Sequence, residues 1–159
     1  RHFNVAGASA DGEIGERHIP ETHLIPTVLQ HLRGELETVK LYGDTYPTED
    51  GTCIRDYVHV EDLANAHILA LEALLQREAD FTIYNIGNEL GFSVKEIIEQ
   101  CEQVTGKSAN IELTHKRAGD AAILVASTKK IQRELGWQPE KTLQHMIEHA
   151  WHWQKRAVY

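Results

Sequence analysis

One stretch divides this sequence. Residues 42–62 carry Gly43, Pro47 and Gly51 among several Asp and Thr, residue types that favour turns over core positions. So long a run with so little apolar content predicts a loop with a function of its own. It closes on Arg55, Asp56, Tyr57 and His59, a dense polar and aromatic cluster placed just before an apolar-periodic segment. That ending argues against disorder. The stretch is read as the ligand-facing element, and the chain must fold as elements arranged before and after it.

Before it, residues 2–5 read as the end of a strand, and 6–20 as a loop punctuated by Gly7, Gly12 and Gly15. Residues 22–33 predict a helix, with Thr22 as N-cap, Leu24, Ile25, Val28, Leu29 and Leu32 at helical spacing, and Gly34 as its stop. Residues 38–42 alternate as a strand does. After it, residues 60–77 predict a helix whose apolar stripe would pack on a sheet, with His67 on that stripe as a packed, hydrogen-bonded histidine rather than a ligand. Residues 81–87 read as a strand. Ser93 and Glu96 form a capping box for a helix that carries Cys101 on its apolar face and ends at Gly106. Residues 111–113 and 123–125 are short apolar segments, and 128–135 and 142–156 read as two more helices. This alternation predicts one α/β domain over residues 1–159, a small mixed sheet with flanking helices.

Charge narrows the partners. A formal net charge of −8 over 159 residues disfavours a non-specific nucleic-acid or anionic-membrane surface. A few local Arg can still reverse the field inside one cleft. The two cysteines, Cys53 and Cys101, have no metal spacing and suggest no disulfide framework, which points to a reducing cytoplasm. No apolar run approaches a membrane span. The sequence opens at Arg1 already inside a strand pattern, so a longer parent chain is expected.

Arg55 and Arg117 stand where loops are expected to converge. A guanidinium fork makes two charge-assisted bonds to a phosphate at once. Asp120 suits a ribose hydroxyl, Tyr42 a base, and Asn4 and His23 a sugar and a phosphate. Together they read as a nucleotide-sugar site. Asn4 bonding its own turn and His23 exposed beside a helix start are the plain alternatives. His145, His149 and His152 share one helix face. A solvated face is the preferred reading there, ahead of a metal site.

Several strings then carry a resemblance. They are residues 3–8, 21–26, 46–64 and 84–88, then 117–120 and 134–137. In order along nearly the whole chain, they resemble the C-terminal, substrate-binding half of the UDP-glucose 4-epimerase (UDP-galactose 4-epimerase) family of extended short-chain dehydrogenases/reductases. The segment from Tyr46 to Tyr57 is the most specific of them. The resemblance implies an NAD-dependent isomerase of galactose metabolism that interconverts UDP-glucose and UDP-galactose through a 4-keto intermediate. It implies Phe3 against the nicotinamide end of NAD, and Asn4 at the sugar–phosphate part of the UDP-hexose. His23 and Leu24 would line the diphosphate, Lys40 and Tyr42 would hold the uracil, and Arg55 and Arg117 would bind the diphosphate. Asp120 would bind the ribose, Tyr57 would support the Arg55 region, and Leu124 would limit room at the sugar C2 substituent. His2 and Ala121 depart from the family pattern. The sequence holds no Gly-rich dinucleotide loop and no Tyr-x-x-x-Lys pair, so catalytic groups are expected upstream of Arg1, with the chain inactive alone. A homodimer through that upstream half is expected, with no nucleic acid or membrane partner. A UDP-N-acetylglucosamine 4-epimerase, another sugar-nucleotide enzyme of the same family and a non-catalytic nucleotide-sugar binding module are the competing readings.

Overall fold

In the computed structural model, which describes residues 1–76 and 82–156, the end of the expected loop is a strand. Ile54–His59 forms the strand against which three others pair. Asn4–Ala6 lies parallel to it, with Asn4 opposite Tyr57. Gly91–Ser93 pairs antiparallel, with Arg55 opposite Phe92. Ile123–Leu124 pairs parallel, with Arg55 opposite Leu124. A second, two-stranded parallel sheet joins Val39–Tyr42 to Ile111–Thr114. In chain order the strands are β1 (Asn4–Ala6), β2 (Val39–Tyr42), β3 (Ile54–His59), β4 (Gly91–Ser93), β5 (Ile111–Thr114) and β6 (Ile123–Leu124). The helices are α1 (Leu24–Arg33), α2 (Val60–Gln76), α3 (Val94–Thr105), α4 (Lys129–Leu135) and α5 (Leu143–Arg156). The α/β class and the small mixed sheet with flanking helices agree with expectation.

β3 is hard to see in the sequence because its polar residues are paired at a distance. Asp56 is fully buried. Its carboxylate accepts from the backbone N–H of Asn88 at 2.8 Å, Glu89 at 3.2 Å and Ala126 at 3.0 Å. A buried charge is tolerated when such bonds replace water. The neighbouring Tyr57 and Val58 are buried too, so the strand is enclosed on both faces. The residues ahead of it do form a loop. It folds over Gly51 at φ +81°, where a Cβ would come 2.0 Å from the Asp44 carbonyl oxygen, so only glycine is accommodated. Asp50 ties this loop to α3. Its carboxylate accepts from the Thr52 N–H at 2.7 Å and from the Ser93 hydroxyl, and its carbonyl accepts from Lys95 Nζ at 2.8 Å.

Several element ends differ from the sequence expectation. The N-cap of α1 is His23, not Thr22, and no side chain caps it. Glu21 instead accepts from the backbone N–H of Thr22 at 2.7 Å and His23 at 2.8 Å. That side chain fixes the entry to the helix without capping its first turn. The capping box at Ser93 and Glu96 is present, and Gly34, Gly106 and Gly136 end their helices in the left-handed conformation. The strand expected over residues 81–87 shrinks to one bridge between His2 and Ile86; Phe81 lies outside the described residues. Asn4–Ala6 takes the pairing that residues 2–5 were expected to supply.

Two clusters hold the fold. α1, α3 and α5 pack Ile25, Leu29, Ile97, Ile98, Met146 and Ile147 into one of them. Cys101 belongs to it, and burial pushes its thiol up to about 12, so it stays a protonated core residue. The second gathers Val58, Ala66, Ile86, Ile131 and Trp137. α2 contributes little else: Ile68, Leu71, Leu74 and Leu75 of its stripe are exposed. His67 is likewise exposed, and its Nδ1 lies 2.8 Å from the Leu63 carbonyl of its own helix, which corrects the packed reading. On α5, His149 is half-buried and sits 3.0 Å from the buried His59 ring. The three α5 histidines are therefore not one solvated face.

Asp56 yields the first prediction. Asp56→Ala takes the acceptor from three N–H groups, of which that of Ala126 is buried. It is expected to destabilise the protein by about 2–4 kcal/mol, read by urea unfolding at pH 7. A loss under about 1 kcal/mol would show that water replaces the carboxylate.

Candidate functional site

A cavity of about 730 Å³ lies where β1, β2, β3 and the start of α1 meet. A volume of that order suits a ligand of nucleotide size. Every residue singled out from the sequence lines it except one. Phe3 and Asn4 come from the β1 end, His23 and Leu24 from the α1 start, and Lys40 and Tyr42 from β2. Arg55 and Tyr57 come from β3, and Arg117 and Asp120 from the turn after β5. Leu124 does not line it. It stands one strand over, paired with Arg55 on β6 and half exposed.

Two strand ends and one turn place the cations. Arg55 Nη1 donates to the carbonyls of Ile54 at 2.9 Å and Ala121 at 2.7 Å, and its Nη2 lies 3.6 Å from Asp120 Oδ1. The Arg117 guanidinium lies over the Tyr42 ring, 3.7 Å from its centre. Lys116 sits beside it, over the Tyr46 ring at 4.3 Å, with its ammonium on the Thr45 carbonyl at 2.6 Å. Gly43 permits this close approach. Its φ is +87°, and a Cβ there would meet Lys116 Cγ at 2.4 Å. The sequence placed Tyr42 as a free platform for a flat ring. The structure gives one face of that platform to Arg117.

The result is an acidic chain that gathers three cations in one cavity. Arg55, Arg117 and Lys40 face one space together with the carboxylates of Asp120, Glu16 and Glu21, and Asp120 lies beside Arg55. Such an arrangement favours an anionic ligand with a hydroxyl-bearing neighbour. Tyr57 closes the cavity floor. Burial raises its phenol well above the usual tyrosine range, against the opposing pull of the Arg55 charge, so it stays neutral and acts as packing, not as an acid or base.

Sequence reasoning missed Glu16 and Glu21, which also line the cavity. Neither carries a local signal. Glu16 is brought in because its carbonyl accepts from Trp153 Nε1 of α5, 3.0 Å away and 137 positions along the chain.

Comparison with known proteins agrees with this architecture. The family profile described as GDP-mannose 4,6 dehydratase matches residues 2–150. UDP-glucose 4-epimerase of Halalkalibacterium halodurans is 54% identical over 156 residues, which is 98% of this chain and 46% of that relative. The crystal structure of UDP-glucose-4-epimerase from Stenotrophomonas maltophila, with bound NAD and formylated UDP-arabinopyranose, superposes with a TM-score of 0.92 at 40% identity, over 98% of this chain and 46% of that one. UDP-glucose 4-epimerase from Bifidobacterium longum, in complex with NAD+ and UDP, gives 0.92 at 37% identity over the same shares, 98% and 46%. The chain thus spans just under half the length of the curated relatives it matches.

The raised Tyr57 phenol has a pH consequence. A group whose pKa is higher folded than unfolded contributes stability that is full below the unfolded value and is lost above it. Stability should therefore fall above about pH 10, and Tyr57→Phe should make that alkaline decline shallower while changing stability at pH 7 by less than about 1 kcal/mol. Urea unfolding of both proteins between neutral and alkaline pH checks this; parallel curves would remove Tyr57 from the account.

Proposed function

From the chain's membership of the extended short-chain dehydrogenase/reductase family described by the GDP-mannose 4,6 dehydratase profile, we propose that it is the C-terminal, substrate-binding half of a UDP-glucose 4-epimerase. The observation that carries this reading is the convergence of Arg55, Arg117, Asp120, Asn4, His23 and Tyr42 on one cavity. Those side chains are far apart in sequence and offer what a UDP-hexose requires: fixed cations, a hydroxyl acceptor and a ring wall.

Within that reading, Arg55 and Arg117 hold the diphosphate. Asp120, already 3.6 Å from Arg55, takes the ribose hydroxyls beside it. His23 and Leu24 line the diphosphate at the start of α1, where backbone N–H groups favour anions. The uracil is held by the β2 backbone at Lys40 and Tyr42. Tyr42 adds a ring wall on the face that Arg117 leaves. Asn4 contacts the sugar–phosphate part and Tyr57 backs Arg55. Leu124, outside the present cavity wall, limits the C2 substituent only if the sugar reaches the β6 edge.

The reaction under this reading is inversion at C4 through a 4-ketose. NAD supplies the hydride chemistry when bound. This chain fits only its nicotinamide end, through the half-buried Phe3 at the β1 side of the cavity. What this chain's residues contribute is to bind the UDP end, to orient the hexose and to leave it room to turn. The catalytic Tyr and Lys, most NAD contacts and a homodimer interface belong to the other half of a longer cytoplasmic enzyme, placed by the same proposal. Two observations support it: the relatives are about twice as long, and the apolar stripe of α2 has no cover among the described residues.

Two outcomes are expected. In the full-length enzyme, Arg117→Ala should weaken UDP binding roughly ten- to a hundredfold, the equivalent of ~1.5–3 kcal/mol, and leave NAD binding nearly unchanged in calorimetric titration. Equal losses for both ligands would sink the diphosphate role. The isolated chain should not turn over UDP-galactose; measurable epimerisation by it would overturn the division into a binding half and a catalytic half.

A further inference from the structure

A second group of ligating atoms stands at the rim of the cavity, in the loop before α1. Glu16 Oε2 lies 3.1 Å from His23 Nδ1 and 3.5 Å from His18 Nδ1. The ligating atoms of Glu16, His18 and His23 all lie within 4.8 Å of one another. The two imidazoles cross at 90° with their centres 4.8 Å apart, so both Nδ1 atoms turn toward one carboxylate. Behind them Glu21 has a side chain only 6% exposed. Its Oε1 is fixed by the Thr22 and His23 N–H groups, and its Oε2 is aimed at His18 Nδ1, 3.6 Å away.

These spacings have a natural occupant. Metal–ligand bonds of roughly 2.0–2.1 Å in a tetrahedron set neighbouring donors about 3.3 Å apart, close to the 3.1 and 3.5 Å found here. Two carboxylates, of the half-buried Glu16 and the buried Glu21 side chain, also face this one point, and their like charges repel. A divalent ion would relieve that repulsion.

We propose that Glu16, His18 and His23 form a binding site for a divalent first-row transition metal, buttressed by Glu21. Imidazole and carboxylate donors suit zinc, cobalt, nickel or copper better than magnesium or calcium, which prefer oxygen shells. Three protein donors leave a position open. Glu16 and His23 line the large cavity while His18 does not, so the open position faces the cavity, where it can take an oxygen of an anionic ligand. The site does not depend on which nucleotide sugar the cavity binds.

The chain's other histidine cluster does not compete. His59, Glu61 and His149 also bring their ligating atoms together. There His59 Nδ1 accepts the Glu61 N–H at 3.0 Å, which leaves the ring proton on Nε2, directed at His149 Nδ1 at 3.0 Å. A metal would need both ring nitrogens of a buried histidine bare at once.

The test is a Co2+ titration of the full-length protein, followed by calorimetry and by visible d–d absorption. The expected result is one Co2+ per chain with the intense visible bands of a low-coordinate site. His18→Ala and Glu16→Gln should each weaken it at least about tenfold. His18 is half exposed, so its removal should leave the fold intact, and an unchanged thermal unfolding curve without metal verifies that. Absence of stoichiometric binding would overturn the proposal, and so would affinity unchanged in both variants, which would assign the ion to other surface histidines.

Discussion

One buried carboxylate organises the centre of this protein. Asp56 has no access to solvent, and its oxygens hold three backbone N–H groups from two other segments, residues 88–89 and residue 126. The cost of burying a charge is large, so such a group fixes its surroundings strongly: each donor must remain in place or the charge is stranded. Those donors lie in the connections that lead to β4 and away from β6. Asp56 therefore aligns the strands on either side of β3, and β3 in turn carries Arg55 and Tyr57 to the cavity. Site geometry follows from a polar bond network, not from apolar packing alone.

That arrangement also explains what the sequence showed and what it hid. The helices with strong periodicity, α1, α3, α4 and α5, were legible within one or two residues, as were their glycine stops and the Ser93 capping box. Their stability is local or follows from one apolar face. β3 was not legible. Arg55, Asp56 and His59 read as loop residues because the partners that make them acceptable in a strand lie up to 90 positions away. Thr22 is not the cap because the helix begins one residue later, at His23, with Glu21 holding the Thr22 and His23 N–H groups ahead of the first turn. The stripe of α2 was legible as a pattern, but a pattern names a face without naming what covers it.

The residues that line the cavity were legible for a different reason. Arg, Asp and Tyr beside Gly-rich turns mark places where backbone can approach a ligand, and the turns at Gly43 and Gly119 both occur at the cavity edge. The carboxylates of the rim escaped because nothing in residues 16–23 by itself tells a solvated loop from a converging one. The hold of Trp153 on the Glu16 carbonyl helps turn that loop inward.

The two arginines show how an acidic chain can prepare an anion site at small cost. A free arginine side chain loses up to about 2 kcal/mol of rotamer entropy when a ligand immobilises it. Here contacts within the fold already fix both side chains. Two carbonyls and Asp120 fix Arg55, and the Tyr42 ring fixes Arg117. None of these partners spends the positive charge fully: carbonyls carry no net charge, an aromatic face is a weak acceptor, and the Asp120 contact at 3.6 Å is loose. Each guanidinium is thus ordered while its charge stays available, and an anion entering the cavity would meet donors in position. Lys40, exposed on β2, has no such support, which suits a residue asked to offer its backbone more than its ammonium.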